Sequence, residues 1–141
     1  MLAQLVLFAA IVFAPARPIA VWPDAARALG LALTAAGSIV LACGMRRLGR
    51  ALTPFPEPAA GGALVTSGVY GYVRHPIYSG LSLAALGWAL AHGDAARLAL
   101  SAVLFVFFDL KARGEERRLR RAYPEYDAYA RRVRRLLPWL Y

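Results

Sequence analysis

Four apolar stretches, near residues 2–22, 25–45, 76–91 and 95–110, are separated by clusters of proline, glycine and arginine. This alternation limits the fold more than any other feature. The chain is 60% hydrophobic with a mean hydropathy of +0.48, too apolar for an ordinary soluble domain of 141 residues. Its net charge is nevertheless +9, and the charge is gathered in loops and in a tail, 111–141, that holds ten of the seventeen basic residues. Apolar runs with charge confined between and after them are the pattern of a membrane protein. The expected fold class is all-α: one integral membrane domain over 1–141, with about four transmembrane helices and a C-terminal amphipathic interfacial helix.

The stretches differ in what ends them. The first has a short apolar core, about Leu2 to Phe13, broken by Pro15, Arg17 and Pro18. Its length fits a signal peptide, but no positive residue precedes the core and a proline sits at the would-be cleavage motif. A first transmembrane helix reaching Trp22 is the expectation. In the second, Asp24 after Pro23 suits a helix start, and the small residues Gly30, Thr34, Ala35, Gly37, Ser38, Ala42 and Gly44 favour close helix packing in lipid. Leu52 to Gly68 is too rich in proline and glycine for a helix and reads as a surface loop carrying Phe55 and Glu57. The third begins at Pro76, where proline suits a first turn, and His92-Gly93-Asp94 turns the chain into the fourth. Asp109, near the end of the fourth, is a functional candidate because ionisable groups at membrane depth are costly. The lone Cys43 excludes an internal disulfide and offers no metal-ligand pattern, so no metal site is expected.

In the tail, Tyr126, Tyr129, Ala130, Val133, Leu136 and Leu137 share one helical face, and Arg131, Arg132, Arg134 and Arg135 the other. That spacing predicts an amphipathic helix in the headgroup plane, with the tyrosines as interfacial anchors and anionic lipid rather than nucleic acid as the basic partner. Placing both termini in the cytoplasm puts Arg46, Arg47, Arg50, Arg74 and the tail inside, and leaves Arg17, Arg27 and Arg97 outside. The positive-inside rule favours that arrangement. Sixteen arginines against one lysine, with abundant alanine, suggest a GC-rich bacterial genome, and hence a bacterial inner membrane.

The third–fourth hairpin then brings two polar motifs to one membrane face: Tyr72-Val73-Arg74-His75-Pro76-Ile77-Tyr78, and Glu115-Glu116. Carboxylates can accept hydrogen bonds from hydroxyls or an amine, arginine can pair with a carboxylate or phosphate, and rings can face a cation. These groups suit a polar, mixed-charge small molecule, and the residues alone leave its identity open.

At these positions the chain resembles the isoprenylcysteine carboxyl methyltransferases and the related phospholipid N-methyltransferases. The resemblance rests on Gly68, Tyr70, Arg74, His75, Pro76, Tyr78, Gly80, Glu115, Glu116, Tyr126, Tyr129 and Pro138, and covers Leu64 to the end; the first half matches only as generic membrane helices. It implies an integral membrane enzyme that uses S-adenosylmethionine, with a lipophilic methyl acceptor arriving from the bilayer and the tail covering the cofactor. It implies Arg74, His75 and Glu116 as catalytic residues. Tyr70, His75, Pro76, Tyr78, Gly80, Glu115 and Glu116 would bind the cofactor. Gly114, and the arginines at Arg134 and Arg135, depart from the family pattern.

The chemistry is compatible. Methyl transfer depends mainly on positioning and on excluding water. A carboxylate acceptor needs no base, whereas an amine acceptor needs one such as His75. Carboxyl O-methylation of an isoprenoid-type acceptor is the favoured expectation, with phospholipid N-methylation next. Two other classes compete. An NADPH-dependent sterol-type reductase shares an Arg-His-x-x-Tyr region, but Ile77 and Leu81 stand where its pattern has asparagine and aspartate. A non-enzymatic scaffold would tolerate substitution at His75 and Glu116.

Overall fold

The computed structural model describes residues 2–13, 15, 17–49 and 64–138. Among them the regular structure is helical: α1 (Leu2–Phe13), α2 (Asp24–Leu48), a 3-10 turn (Gly68–Gly71), α3 (Pro76–His92), α4 (Ala95–Ala122) and α5 (Tyr126–Arg132). The loop carrying Phe55 and Glu57 lies outside the described residues, as does Trp139. By length and composition one helix, α2, is long and apolar enough to cross a membrane.

The first stretch is not one helix to Trp22. Its helix ends at Phe13, where Pro15 and Pro18 withdraw N–H donors and fix φ. A helix of that length spans roughly 18 Å, short of a bilayer core of about 30 Å. Backbone and side chain between Arg17 and Trp22 are tied to the end of α3 and the α3–α4 turn. Arg17 N–H donates to Asp94 Oδ2 at 2.6 Å, Ile19 N–H donates to the Gly93 carbonyl at 2.8 Å, and Trp22 Nε1–H donates to the Leu90 carbonyl at 2.7 Å. Gln4 therefore lies beside Lys111 at one end of the bundle and Arg17 beside Asp94 at the other.

α2 and α3 pack antiparallel through glycine. A Cβ on Gly30 would lie 2.3 Å from Ala91 N, one on Gly37 2.5 Å from Ala84 N, and one on Gly80 2.6 Å from the Gly37 carbonyl. Such spacing lets two backbones touch, the arrangement that substitutes for the missing hydrophobic drive between helices in lipid. The turn into α4 needs Gly93 in the left-handed conformation (φ 58°), under the Trp22 ring. Asp94 then caps α4, accepting from Arg97 N–H at 2.9 Å and pairing with the Arg97 guanidinium at 2.8 Å.

α4 continues well beyond 110, to Ala122, because its polar residues are arginines, a lysine and glutamates with good helix propensity. α1 packs along it, and Ile11, Ala85, Leu104 and Phe108 form the buried core where α1, α3 and α4 meet. Leu29, Leu31, Ile39, Val103, Val106 and Leu110 remain exposed, a belt of large apolar side chains on the outside of α2 and α4.

The expected amphipathic surface helix is corrected by the structure. α5 stops at Arg132, and Val133 is extended. Tyr126, Tyr129, Val133 and Leu136 do lie on one side, but they are buried in the protein. Tyr129 is no headgroup anchor: its hydroxyl donates to the Tyr70 carbonyl at 2.6 Å. The face that periodicity marks as apolar covers the 3-10 turn and the end of α4, packing against Leu64, Leu119 and Tyr123.

Candidate functional site

Three segments converge at the arginine-rich end of the bundle: the entry to α3, the second half of α4, and the extended chain after α5. In the entry to α3, the N–H groups of Tyr72 and Val73 donate back to the Val69 carbonyl of the 3-10 turn at 3.1 and 3.2 Å, but those of Arg74 and His75 point away from it. The strap after α5 supplies acceptors. Arg74 N–H donates to the Arg134 carbonyl at 2.8 Å and His75 N–H to the Arg135 carbonyl at 3.1 Å, around a parallel bridge between Val73 and Arg134. Ser79 adds a bond from its hydroxyl to the Leu136 carbonyl at 2.7 Å. Leu136 is 0% exposed, so the strap is seated rather than laid on the surface.

Glu116 is the hub of the charges. Its side chain is 1% exposed. Arg74 reaches Oε1 through Nε at 3.0 Å and through its second terminal nitrogen at 2.9 Å. Arg135 binds the same carboxylate through Nε at 2.9 Å and a terminal nitrogen at 3.3 Å. Arg120 lies 3.6 Å away. Burial alone would raise the Glu116 carboxyl; its closeness to His75, Arg135 and Arg74 more than reverses this and holds it well below the usual carboxylate range. Arg74 also donates to the carbonyls of Ala130 and Val133. This one guanidinium ties α4, α5 and the strap together.

Glu115 is different. It is one-fifth exposed, and it accepts from the Tyr78 hydroxyl at 2.5 Å. His75 sits between the two carboxylates, with Nδ1 3.7 Å from Glu115 and Nε2 3.4 Å from Glu116. Neither approach is aligned as a hydrogen bond, and Nε2 is left buried without a partner, as is the Tyr126 hydroxyl. The His75 and Tyr78 rings are stacked at 5.6 Å, and Tyr78 stacks in turn on Phe108 at 4.7 Å. Tyr70 lies close by with its phenol pushed up to about 12, by burial first and then by the Glu115 charge, so it stays a neutral hydroxyl at physiological pH.

The residues singled out from sequence therefore meet, but unequally. Arg74, His75, Tyr70, Tyr78, Glu115 and Glu116 form one cluster. Pro76 and Gly80 face the other way: the Pro76 ring packs toward Gly44 and Gly80 against Gly37 and Leu41 of α2. Those two hold α3 in place and do not line the cluster. Sequence reasoning missed Arg135, which it placed on a lipid-facing surface. Arg135 turns inward because two carboxylates at i and i+7 on α4, Asp109 and Glu116, wait for it; its distance to Asp109 is 3.1 Å. Asp109 also accepts from Arg113 at 2.8 Å, so this carboxylate is a paired structural group. The heptad spacing of Asp109 and Glu116 was the available signal. Among the described residues no cluster of histidine, cysteine and acidic side chains could hold a metal.

Whether this cluster suits S-adenosylmethionine can be judged from its donors. The cofactor is a cationic sulfonium with an aromatic base, two ribose hydroxyls and an amino acid end. The cluster offers one carboxylate with spare capacity, buried unpartnered polar atoms on His75 and Tyr126, and a stacked aromatic wall. Those chemistries match.

Known proteins resemble the chain in sequence and fold. A family model described as phospholipid methyltransferase matches residues 25–126, so the likeness begins in α2 and is not confined to Leu64 onward. The chain is 39% identical over 72 residues to a protein-S-isoprenylcysteine O-methyltransferase of Schizosaccharomyces pombe, over 50% of this chain and 30% of that protein. It superimposes on the structure of the eukaryotic intramembrane Ras methyltransferase (isoprenylcysteine carboxyl methyltransferase) with a TM-score of 0.73. That likeness, at 21% identity, covers 99% of this chain and 50% of that chain and concerns the fold. The chain thus spans half or less of the length of these relatives. With most of its length, α2 to the start of α5, matched by the family model, the chain belongs to the phospholipid methyltransferase family.

Proposed function

We propose that this protein is an integral membrane methyltransferase that uses S-adenosylmethionine to methylate a lipophilic or amphiphilic acceptor, with carboxyl O-methylation of an isoprenoid-type acid favoured. The observation that carries the reading is the meeting of His75, Tyr78 and Glu115 beneath a seated strap, in a chain of this family. Glu115, Tyr78, Tyr70 and His75 are the residues that would hold the cofactor. When bound it supplies an electrophilic methyl group.

The protein's own part is positioning. Glu115 orients Tyr78 through its hydroxyl and offers negative charge to a cationic ligand. His75 presents its unpartnered Nε2 to a polar group. Arg74 and Glu116 lock the entry of α3 to α4 and the strap, so that this geometry is fixed before ligands arrive. Covering the cluster with α5 and the strap excludes water and prevents loss of the methyl group by hydrolysis. A carboxylate acceptor is already a nucleophile, so no side chain has to remove a proton from it.

In this reading α2, α3 and the first part of α4, 95–110, cross the bilayer, with α1 and the extended segment to Trp22 as a fourth, irregular crossing. Both termini then face the cytoplasm, in a bacterial inner membrane. Residues 111–141 form the cytoplasmic cover, and the exposed Arg117, Arg118, Arg121, Arg131, Arg132 and Arg134 meet anionic headgroups. The assay is transfer of a radiolabelled methyl group from S-adenosylmethionine into a membrane extract. Base-labile label, released as methanol, is expected for a carboxyl methyl ester. Base-stable label would indicate N-methylation, and no transfer to any lipid or lipid-linked acceptor would remove the proposal.

A further inference from the structure

Among the described residues, the cations that line the cluster and its rim on α3, α4 and the strap mostly meet carboxylates, while the arginines around them are exposed to solvent. Arg74 pairs with Glu116, Arg135 with Glu116 and Asp109, Arg113 with Asp109, and Arg120 with Glu116 and Asp127. Lys111, the single lysine of the chain, is half-buried on α4. Its ammonium donates to the Gln4 side-chain carbonyl at 3.0 Å and sits 5.1 Å above the Tyr78 ring. No Asp or Glu oxygen of the described residues lies within 4.0 Å of it. An ammonium has three donors, and one is used here. A partly desolvated cation short of both hydrogen bonds and countercharge calls for an anion.

We infer that Lys111 is a carboxylate-binding point, and that the carboxylate is that of the methyl acceptor. The inference rests on the methyltransferase reading and adds a residue that determines the acceptor. Lys111 and Glu115 stand one turn apart on α4 and do not pair with each other. Glu115 takes the hydroxyl of Tyr78 and Lys111 the ring face of the same residue. Opposite charges on two sides of one tyrosine suit a cationic methyl donor on the Glu115 side and an anionic acceptor on the Lys111 side. The acceptor side is also the lipid side. Lys111 borders α1 through Gln4, and its neighbour Leu110 and Val106 one turn earlier are exposed apolar residues. A lipophilic acid can lay its chain there and bring its carboxylate to the ammonium. An amine acceptor would meet a like charge.

The test compares a prenylated N-acetylcysteine acid with its primary amide, as ligands of the wild-type protein and of Lys111→Met and Lys111→Arg, in detergent. Binding of S-adenosylhomocysteine and thermal stability are measured in parallel. Wild type is expected to prefer the acid by about tenfold or more, the scale of one charge-assisted hydrogen bond. Lys111→Met is expected to lose that preference while keeping its stability and its S-adenosylhomocysteine affinity. Lys111→Arg is expected to retain much of it. Equal binding of acid and amide by wild type overturns the inference, as does an unchanged preference in Lys111→Met, which would make Lys111 a cation reaching for headgroups. A folded Lys111→Met that keeps the preference and instead loses S-adenosylhomocysteine assigns the ammonium to the amino acid end of the cofactor, and also overturns it. Should Lys111→Met unfold, Lys111→Arg decides by keeping or losing the preference. Failure of wild type to bind S-adenosylhomocysteine at all would count against the methyltransferase reading itself, a separate result.

Discussion

At the scale of residues, the two adjacent glutamates have opposite duties. Glu116 is consumed by arginines, whereas Glu115 keeps capacity for a ligand. Replacing Glu116 with glutamine leaves the buried Arg74 without its countercharge and Arg135 with Asp109 alone, a loss on the order of 3–5 kcal/mol for a broken buried pair. The expected outcome is a sharp fall in thermal stability in detergent, visible by circular dichroism without any ligand. Glu115→Gln should unfold near the wild-type temperature and lose ligand affinity instead. The pH dependence follows the same logic. Glu116 titrates lower in the folded protein than its ordinary value of 4.5, so its stabilisation is complete above that pH and is lost as pH falls below it. Thermal melts from pH 7 to pH 3 should show this loss in wild type and a much flatter profile in Glu116→Gln. Sequence reading found both glutamates but could not separate them, because the difference lies in Arg135, distant in the chain and folded inward by Asp109.

At the scale of elements, glycine decides which helices touch. Gly37 and Gly114 are both helical, yet only Gly37 faces a neighbour's backbone. Gly37→Ala places a methyl group 2.5 Å from Ala84 N and should destabilise the α2–α3 pair. Gly114→Ala meets nothing within 4 Å and should stabilise α4 by up to about 1 kcal/mol through helix propensity alone. Thermal unfolding of the two variants should therefore move in opposite directions. The small-residue rhythm of α2 was legible in the sequence, as were the start of α3 at Pro76 and the turn at Gly93. The ends of the tail helices were not. A pattern of period 3.6 fits both a lipid-facing helix and one packed on protein, and the backbone acceptors that draw 133–136 into an extended strap leave no mark in hydrophobicity.

At the scale of the whole molecule, the site end is the basic end. Arg46, Arg47, Arg74, Lys111 and the arginines of the cover gather there, while Arg17, Arg27 and Arg97 lie at the other end. If that end is cytoplasmic, a cysteine introduced at the exposed Arg132, in a Cys43→Ala background, should react with a membrane-impermeant maleimide only after the membrane that holds the protein is opened. Labelling in intact cells with a permeable outer layer would reverse the assigned orientation. The places of the helices α1 to α4 were readable from the alternation of apolar and basic segments. That the first helix stops at Phe13 and that Arg17 and Ile19 are tied to the α3–α4 turn was not, since it depends on Asp94 and Gly93, some seventy residues on, receiving that backbone.

The central claim is that α3, α4 and the strap build one cofactor site around His75, Tyr78 and Glu115. Calorimetric titration of the detergent-purified protein with S-adenosylhomocysteine, beside NADPH as control, tests it most directly. The account predicts saturable, micromolar binding of S-adenosylhomocysteine that is lost in folded His75→Ala and Glu115→Gln, with no response to NADPH. Binding that survives both substitutions, or saturable NADPH binding in its place, would contradict it.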